Sequence, residues 1–297
     1  MNEIVIVSGK GGTGKTSLTA AFTVLAKKCV AADCDVDAAD MRLLLAPTTD
    51  ERHEFNAGKV VRFRTGLCSA CGKCAELCSF DAIKNDGPGN GLIPWTPRVE
   101  PYSCEGCGLC AYYCPEEACV MEEATPGEWF ISNTRCGPLI HARLKPGFGN
   151  SGKLVSLVKE QARSLAKEKG SKLLLIDGPP GVGCPVIASL SGATVVVIVA
   201  EPTLSSKHDA QRVTELAKSF SLRTALIINK ADIDKETSQE LRSWAQSTNV
   251  EYLGDVRYDK KVTKSQVVGR TVIEYAEDSE LSEDIKTVWF NLQNLLE

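Results

Sequence analysis

The chain has 297 residues, room for about two domains that each bury a core of their own. Its 34 Lys and Arg against 38 Asp and Glu give a formal net charge of -4, so no general electrostatic affinity for nucleic acid is indicated. No apolar stretch approaches the roughly 20 residues of a membrane span, and the opening Met1-Asn2-Glu3-Ile4 lacks a basic flank, so a cytoplasmic protein without membrane insertion is expected.

Apolar strand runs alternate with amphipathic helices from the start. Residues 4–7 read as a strand, 15–28 as a helix, and a second short run ends at Asp33. This order predicts an α/β fold with a mainly parallel sheet. The pattern breaks near Pro47, where Thr48-Thr49-Asp50-Glu51-Arg52-His53 begins a polar stretch, and resumes near Glu128-Trp129-Phe130-Ile131. From Gly152 it is regular: a helix through Lys169, strands at 172–176 and 194–199, a helix at 205–219, a strand at 224–228, a further helix, and a strand at 250–253. The sheet domain is therefore expected to be discontinuous, residues 1–58 and 125–297, with residues 59–124 inserted. Near the C-terminus Leu281, Ile285, Val288, Trp289, Leu292, Leu295 and Leu296 form an apolar helical stripe beside Glu280, Glu283 and Asp284, which predicts packing on the sheet rather than on lipid.

The first strand runs into Gly9-Lys10-Gly11-Gly12-Thr13-Gly14-Lys15-Thr16-Ser17, and a helix starts at once behind it. Backbone N–H groups of such a loop curl around an anion, and the helix adds its positive end. Lys15 is expected to reach β- and γ-phosphate oxygens, and the Thr16 hydroxyl to coordinate Mg²⁺. Leu173-Leu174-Leu175-Ile176-Asp177 is a strand ending in an acid, the expected second contact to the metal. In the following Gly178-Pro179-Pro180-Gly181, Gly181 is placed to offer its N–H to the γ-phosphate, so that the loop reports whether that phosphate is present. Asn229-Lys230-Ala231-Asp232 fits both a guanine-reading signature and a shorter adenine-binding Asn.

Eight of the thirteen cysteines fall into two runs, Cys68-x2-Cys71-x2-Cys74-x3-Cys78 and Cys104-x2-Cys107-x2-Cys110-x3-Cys114. Three closely spaced thiolates suit one corner region of an iron-sulfur cube, with a fourth ligand from elsewhere. Zinc ribbons pair two Cys-x2-Cys knuckles instead. Similar tails follow both runs, Ser79-Phe80-Asp81-Ala82-Ile83 and Pro115-Glu116-Glu117-Ala118-Cys119, so the insert is expected to consist of two related halves. Of the remaining cysteines, Cys29 and Cys119 are expected in the core, while Cys34 and Cys184 adjoin the acidic and glycine-rich segments and Cys136 has no assigned role.

Lys10-Gly11-Gly12-Thr13-Gly14-Lys15-Thr16 closely resembles the phosphate loop of the MinD/ParA-type ATPases, and the chain as a whole resembles the members of that superfamily that carry an inserted two-cluster ferredoxin domain. The resemblance implies a nucleotide-sandwich dimer, of two copies or of a copy and a paralogue, in which Lys10 of one subunit touches phosphates held by the other. It matches Asp35, in Asp33-Cys34-Asp35-Val36-Asp37, to the acid that orients the attacking water, and it favours ATP over GTP at Asn229 and Asp232. The second base-contacting loop, Gly254 to Asp259, departs from the family's Ile-Pro pair at Val256-Arg257. For the insert, the bacterial-ferredoxin likeness implies two 4Fe-4S clusters with exchanged fourth ligands: Cys68, Cys71, Cys74 and Cys114 for one, Cys104, Cys107, Cys110 and Cys78 for the other. The implied function is an ATPase that couples nucleotide-dependent dimerisation to electron transfer with a redox partner. The alternatives are a carrier that hands a cluster to an apo-protein, and a positioning ATPase with sensory or structural clusters.

Overall fold

The computed structural model describes residues 1–149 and 151–297, which divide into two compact units. The first comprises Met1–His53, Trp129–Arg143 and Ser151–Glu297, the second Glu54–Glu128 and residues 144–149.

In chain order the elements begin with β1 (Asn2–Ser8), α1 (Lys15–Ala26), β2 (Val30–Asp33), α2 (Met41–Leu45) and β3 (Thr48–Phe55). The inserted stretch follows with β4 (Lys59–Phe63), α3 (Lys73–Glu76), β5 (Ile83–Pro88), β6 (Trp95–Val99), α4 (Leu109–Tyr112) and β7 (Cys119–Glu123). Then come β8 (Gly127–Thr134), β9 (Gly137–Leu144), α5 (Ser151–Glu168), β10 (Leu173–Pro180), α6 (Cys184–Leu190), β11 (Val195–Ala200) and α7 (Leu204–Ser219). The chain closes with β12 (Arg223–Asn229), α8 (Lys235–Ser247), β13 (Glu251–Val256), α9 (Lys261–Val267), α10 (Val272–Tyr275) and α11 (Glu280–Asn294).

One nine-stranded sheet runs in the order β13-β12-β11-β1-β10-β2-β9-β8-β3. Its pairs from β13 through to β9 are all parallel. Every residue of β11 is buried, as expected of a strand covered on both faces, which reads as an unbroken apolar run rather than an alternating one. Ile4, Ile6, Leu175, Val197 and Ile227 share one core with Phe22 of α1 and with Leu281, Ile285, Val288, Trp289 and Leu292 of α11. The C-terminal stripe therefore packs on the sheet, with Trp289 stacked on Phe22 at a centroid distance of 5.4 Å. Among the described residues no helix is long and apolar enough to cross a membrane.

Two strands, β3 and β9, fall outside the runs read from the sequence. β3 is built largely of exposed polar residues because it is the last strand of the sheet and has no covering layer to demand an apolar face. β9 pairs with β2 between Ala31 and Leu139 and between Asp33 and His141, which extends the parallel sheet by one strand.

In the second unit β4 pairs antiparallel with β7 and β5 with β6. The residues bracketing the expected insert belong to this unit, because Ala57 donates to the Ala124 carbonyl (3.0 Å), Thr125 Oγ1 to Asn56 (2.9 Å), and Lys145 N to Pro126 O (2.8 Å). The sequence repeat is also a backbone repeat. Left-handed φ values recur in step at Ala70 and Gly106 (56° and 65°), Gly72 and Gly108 (75° and 78°), and Asp81 and Glu117 (51° each). Short helices α3 and α4 follow the second of these pairs, and Val61, Ile83 and Cys119 form the common core.

Candidate functional site

The phosphate loop takes its shape from Gly14, which is left-handed at φ 86° and whose missing Cβ would stand 2.3 Å from Asn229 Nδ2. That close approach lets the Asn229 amide donate to the Thr13 carbonyl at 2.7 Å, while its own oxygen accepts from Lys230 N at 3.0 Å. Asn229 thus braces the loop from the end of β12.

At the start of α1, Lys15 Nζ lies 2.9 Å from Asp177 Oδ1 and 3.4 Å from Asp35 Oδ2. Thr16 Oγ1 donates to Asp177 Oδ2 at 2.7 Å, and Thr19 Oγ1 to Asp177 Oδ1 at 3.1 Å. Asp177 reaches these partners because parallel pairing of β1 with β10 places the end of that strand beside the loop. Burial alone would lower the Lys15 ammonium, yet Asp177 and Asp35 leave it above its ordinary value. Burial pushes the Asp33 carboxyl well up, with the Asp177 charge adding to it; Asp35 is also raised by burial, against the pull of Lys15. Asp33 is a structural member of the group, accepting from Asp35 N at 3.2 Å and from Met41 N at 3.0 Å, so it fixes the segment that presents Asp35.

Of these side chains, Lys15, Thr16 and Asp35 line a cavity of about 510 Å³ together with Ser8, Gly11, Gly12, Thr13, Ser17, Asp37, Asp40, Pro179 and Pro180. A second cavity of about 240 Å³ shares Gly12, Gly14, Ser17 and Gln266 with it and continues between Asn229, Lys230, Tyr258, Val262 and Val272. Two hollows that share a glycine-rich loop can hold a phosphate chain and a flat ring. The buried Thr13 hydroxyl has no hydrogen-bond partner among the described residues, so a polar group of a ligand would satisfy it there.

Two expected phosphate contacts, Gly181 and Lys10, and one expected base contact, Asp232, are engaged elsewhere. Gly181 N–H donates to the Ser8 carbonyl at 2.9 Å. Lys10 Nζ bonds Thr203 Oγ1 and Ser205 Oγ, 3.4 Å each, with Glu201 Oε2 at 3.7 Å. Asp232 Oδ1 accepts from Tyr258 N at 2.7 Å and so shapes the 257–259 loop. Arg257, at the position that breaks the family pattern, is turned toward α11, where its Nε lies 2.6 Å from Asp284 Oδ2. Sequence reading missed Glu201, which pairs with both Lys10 and Lys230, and Gln266, which donates to Ser17 Oγ at 3.0 Å. Neither stands in a motif, and only the fold brings them to the loop.

In the second unit the eight cysteines gather around two hollows. Cys68, Cys71, Cys74 and Cys114 line one; Cys78, Cys104, Cys107 and Cys110 line the other. Each hollow therefore takes three sulfurs from one run and the fourth from the other. Ala70 N–H points to Cys68 Sγ at 3.4 Å and Ala118 N–H to Cys114 Sγ at 3.3 Å. Among the described residues no three His, Cys, Asp or Glu side chains converge on the position of a single metal ion. Of the other cysteines, Cys29 and Cys34 are buried and Cys184 is exposed; burial, with Cys136 nearby, pushes the Cys29 thiol up to about 12.

The CobQ/CobB/MinD/ParA nucleotide binding domain family matches residues 4–272. An uncharacterized protein of Methanocaldococcus jannaschii is 30% identical over 304 residues, covering 99% of this chain and 97% of that one. A second uncharacterized protein of the same organism is 22% identical over 289 residues, covering 93% and 94%. A putative formate dehydrogenase of Staphylococcus aureus is 25% identical over 151 residues, which are 46% of this chain and 14% of that protein. Among solved structures, the cell division ATPase MinD of Pyrococcus furiosus superposes with a TM-score of 0.59 at 16% identity, covering 99% of this chain and 100% of that one. MinD of Pyrococcus horikoshii, complexed with Mg-ADP, gives 0.59 at 18% identity, covering 100% and 98%.

Proposed function

Because the chain belongs to the CobQ/CobB/MinD/ParA nucleotide-binding family, we propose that it is a Mg²⁺-dependent ATPase whose nucleotide-driven dimerisation gates electron transfer through two 4Fe-4S clusters. Support for the nucleotide half is the placing of Lys15, Thr16 and Asp35 on one cavity, with Asp177 bonded to both Lys15 and Thr16 behind them. Lys15 would leave Asp177 for the β- and γ-phosphate oxygens, where its charge offsets the charge developing in phosphoryl transfer. Thr16 and Asp177 would hold Mg²⁺, which supplies a second positive charge against the phosphates. Asp35, fixed by its backbone bond to Asp33, would orient the attacking water. Gly181 N–H would exchange the Ser8 carbonyl for the γ-phosphate, so hydrolysis returns it to Ser8 and moves the loop. Lys10 would exchange Glu201, Thr203 and Ser205 for phosphate held by a second copy or a paralogue.

The base is read as adenine. One Asp232 oxygen is held by Tyr258 N, whereas guanine is recognised by a carboxylate that accepts from two ring donors together. The Mg-ADP bound to the Pyrococcus horikoshii relative agrees with that choice.

One observation carries the redox half: the fourth cysteines are exchanged between the hollows, Cys114 joining the first run and Cys78 the second. These two sets of four thiolates would each hold a 4Fe-4S cluster, a one-electron carrier. Nucleotide alters the redox equilibrium only if it binds two conformations with different affinity. Anaerobic purification, iron counting and electron paramagnetic resonance with and without ATP test the proposal. Reducible centres whose potential or electron-transfer rate shifts with ATP in the wild type, and not in Lys15→Ala, are expected; a colourless, iron-poor protein, or centres indifferent to nucleotide, overturns it.

A further inference from the structure

The first hollow holds a fifth sulfur. Cys119 is 7% exposed, packs in the unit's core with Val61 and Ile83, and lines the hollow of Cys68, Cys71, Cys74 and Cys114. The Cys74 and Cys114 side chains pack against that core and line the same hollow, which places the Cys119 thiol among their sulfurs. The repeat supplies an internal control, since Ile83 follows Cys78 at the spacing by which Cys119 follows Cys114. Ile83 lines the hollow of Cys78, Cys104, Cys107 and Cys110. The two half-sites thus share a backbone and differ here in one respect: a thiol is a weak donor, and an isoleucine donates nothing.

Hydrogen bonds to the sulfurs of a cluster are among the factors that set its potential. A donor stabilises the reduced state, because reduction adds negative charge that the sulfurs share. We propose that Cys119 directs its S–H at the sulfurs of the first site and holds that site at a higher reduction potential than the second. The consequence is a direction: one electron leaves the site of Cys104, Cys107, Cys110 and Cys78 and enters the site of Cys68, Cys71, Cys74 and Cys114, with no bond made or broken and no proton moved. This rests on the two-cluster reading above.

The test is an anaerobic redox titration of the whole protein with a low-potential one-electron reductant such as dithionite, followed by electron paramagnetic resonance and iron analysis. Wild type should hold about eight irons and show two resolved potentials. Cys119→Ile should keep its iron and lower one potential, reducing that site's equilibrium constant by roughly tenfold, which is about 59 mV for one electron. Cys119→Ser, which keeps a donor, should stay near wild type. The reverse change, Ile83→Cys, adds a thiol to the second hollow and should raise the other potential, so the proposal remains testable if Cys119→Ile misfolds. Iron-loaded wild type and variants with identical potentials overturn this inference and leave the two-cluster reading intact. Loss of about half the iron in Cys119→Ile also overturns it, by making Cys119 a ligand. Iron-free wild type overturns the two-cluster reading itself.

Discussion

Lys15 Nζ and Asp177 Oδ1 lie 2.9 Å apart, with Lys15 5% and Asp177 0% exposed. Lys15 is the cation that three neighbouring carboxylates, Asp177, Asp35 and Asp33, share. Removing it affects the nucleotide-free protein as well as the reaction. Lys15→Ala should lower ATP hydrolysis by at least ~100-fold, through lost stabilisation of transferring phosphate. It should also destabilise the free protein by about 3 kcal/mol, because the carboxylates then lie buried without a counter-charge. Burial already raises Asp33 and Asp35, so in the variant acid should relieve the strain: stability rises as pH falls toward the raised carboxyl range. Denaturant unfolding of both proteins at several pH values checks the sign.

A second charged relationship ties α2 to α10. Arg135, in the turn between β8 and β9, donates to the carbonyls of Leu44 and Leu45 at 2.7 Å each and meets Glu274 with Nε–Oε1 at 2.5 Å. Burial opposes ionisation of Glu274, but bonds from Arg135 and Thr271 prevail and hold its carboxyl down at about 2. A depressed folded pKa gives stability that is present above the ordinary carboxylate range and lost as pH falls toward 2. Glu274→Gln should therefore cost about 1–2 kcal/mol at neutral pH and little near pH 2. Unfolding curves across the acid range decide it.

His141 carries the opposite chemistry with the same pH sign. It is 6% exposed, bonded to Ser132 Oγ at 3.0 Å and stacked on Phe130. Burial, with the Arg42 charge added, pushes its imidazole down to about 4. Between that value and the unfolded value near 6.5 the unfolded chain binds the extra proton, so stability rises with pH over this window. The expected loss on acidification is roughly 2–4 kcal/mol, and His141→Phe should remove it. Proton NMR of the ring should show titration near 4; a midpoint near 6.5 contradicts the buried placement.

Much of this arrangement was legible in the residues. The phosphate loop, Asp177 and the cysteine runs are short motifs whose chemistry restricts residue type at fixed spacing, and the buried parallel strands announce themselves as apolar runs. β3 was missed because period and apolarity signal burial, and this edge strand is polar and largely exposed; β9 was missed although Leu139, Ile140, Ala142 and Leu144 are buried, because His141 and Arg143 interrupt its apolar run. Glu201 and Gln266 were missed for a different reason: each reaches the loop across long sequence separation, and an isolated Glu or Gln carries no local sign of its partner. The states of Lys10 and Gly181 were also illegible, because motifs record the contacts a residue can make with ligand, while the free protein satisfies the same groups internally.

The proposed exchange of fourth ligands makes a prediction that a linear reading of the two runs opposes. If each run served its own site, Cys78→Ala would weaken the site of Cys68, Cys71 and Cys74. Because Cys78 lines the hollow of Cys104, Cys107 and Cys110, its loss should instead remove or convert that cluster, while Cys114→Ala should affect the site of Cys68, Cys71 and Cys74. Identifying the survivor requires a mark on one site, and Cys71→Ser provides it, since Cys71 belongs to the first hollow under either arrangement. Combined with Cys114→Ala, it should leave one cluster intact, with about half the wild-type iron. Combined with Cys78→Ala, it should damage both sites and leave little iron. Equal iron in the two double variants, or the opposite order, contradicts the crossed arrangement.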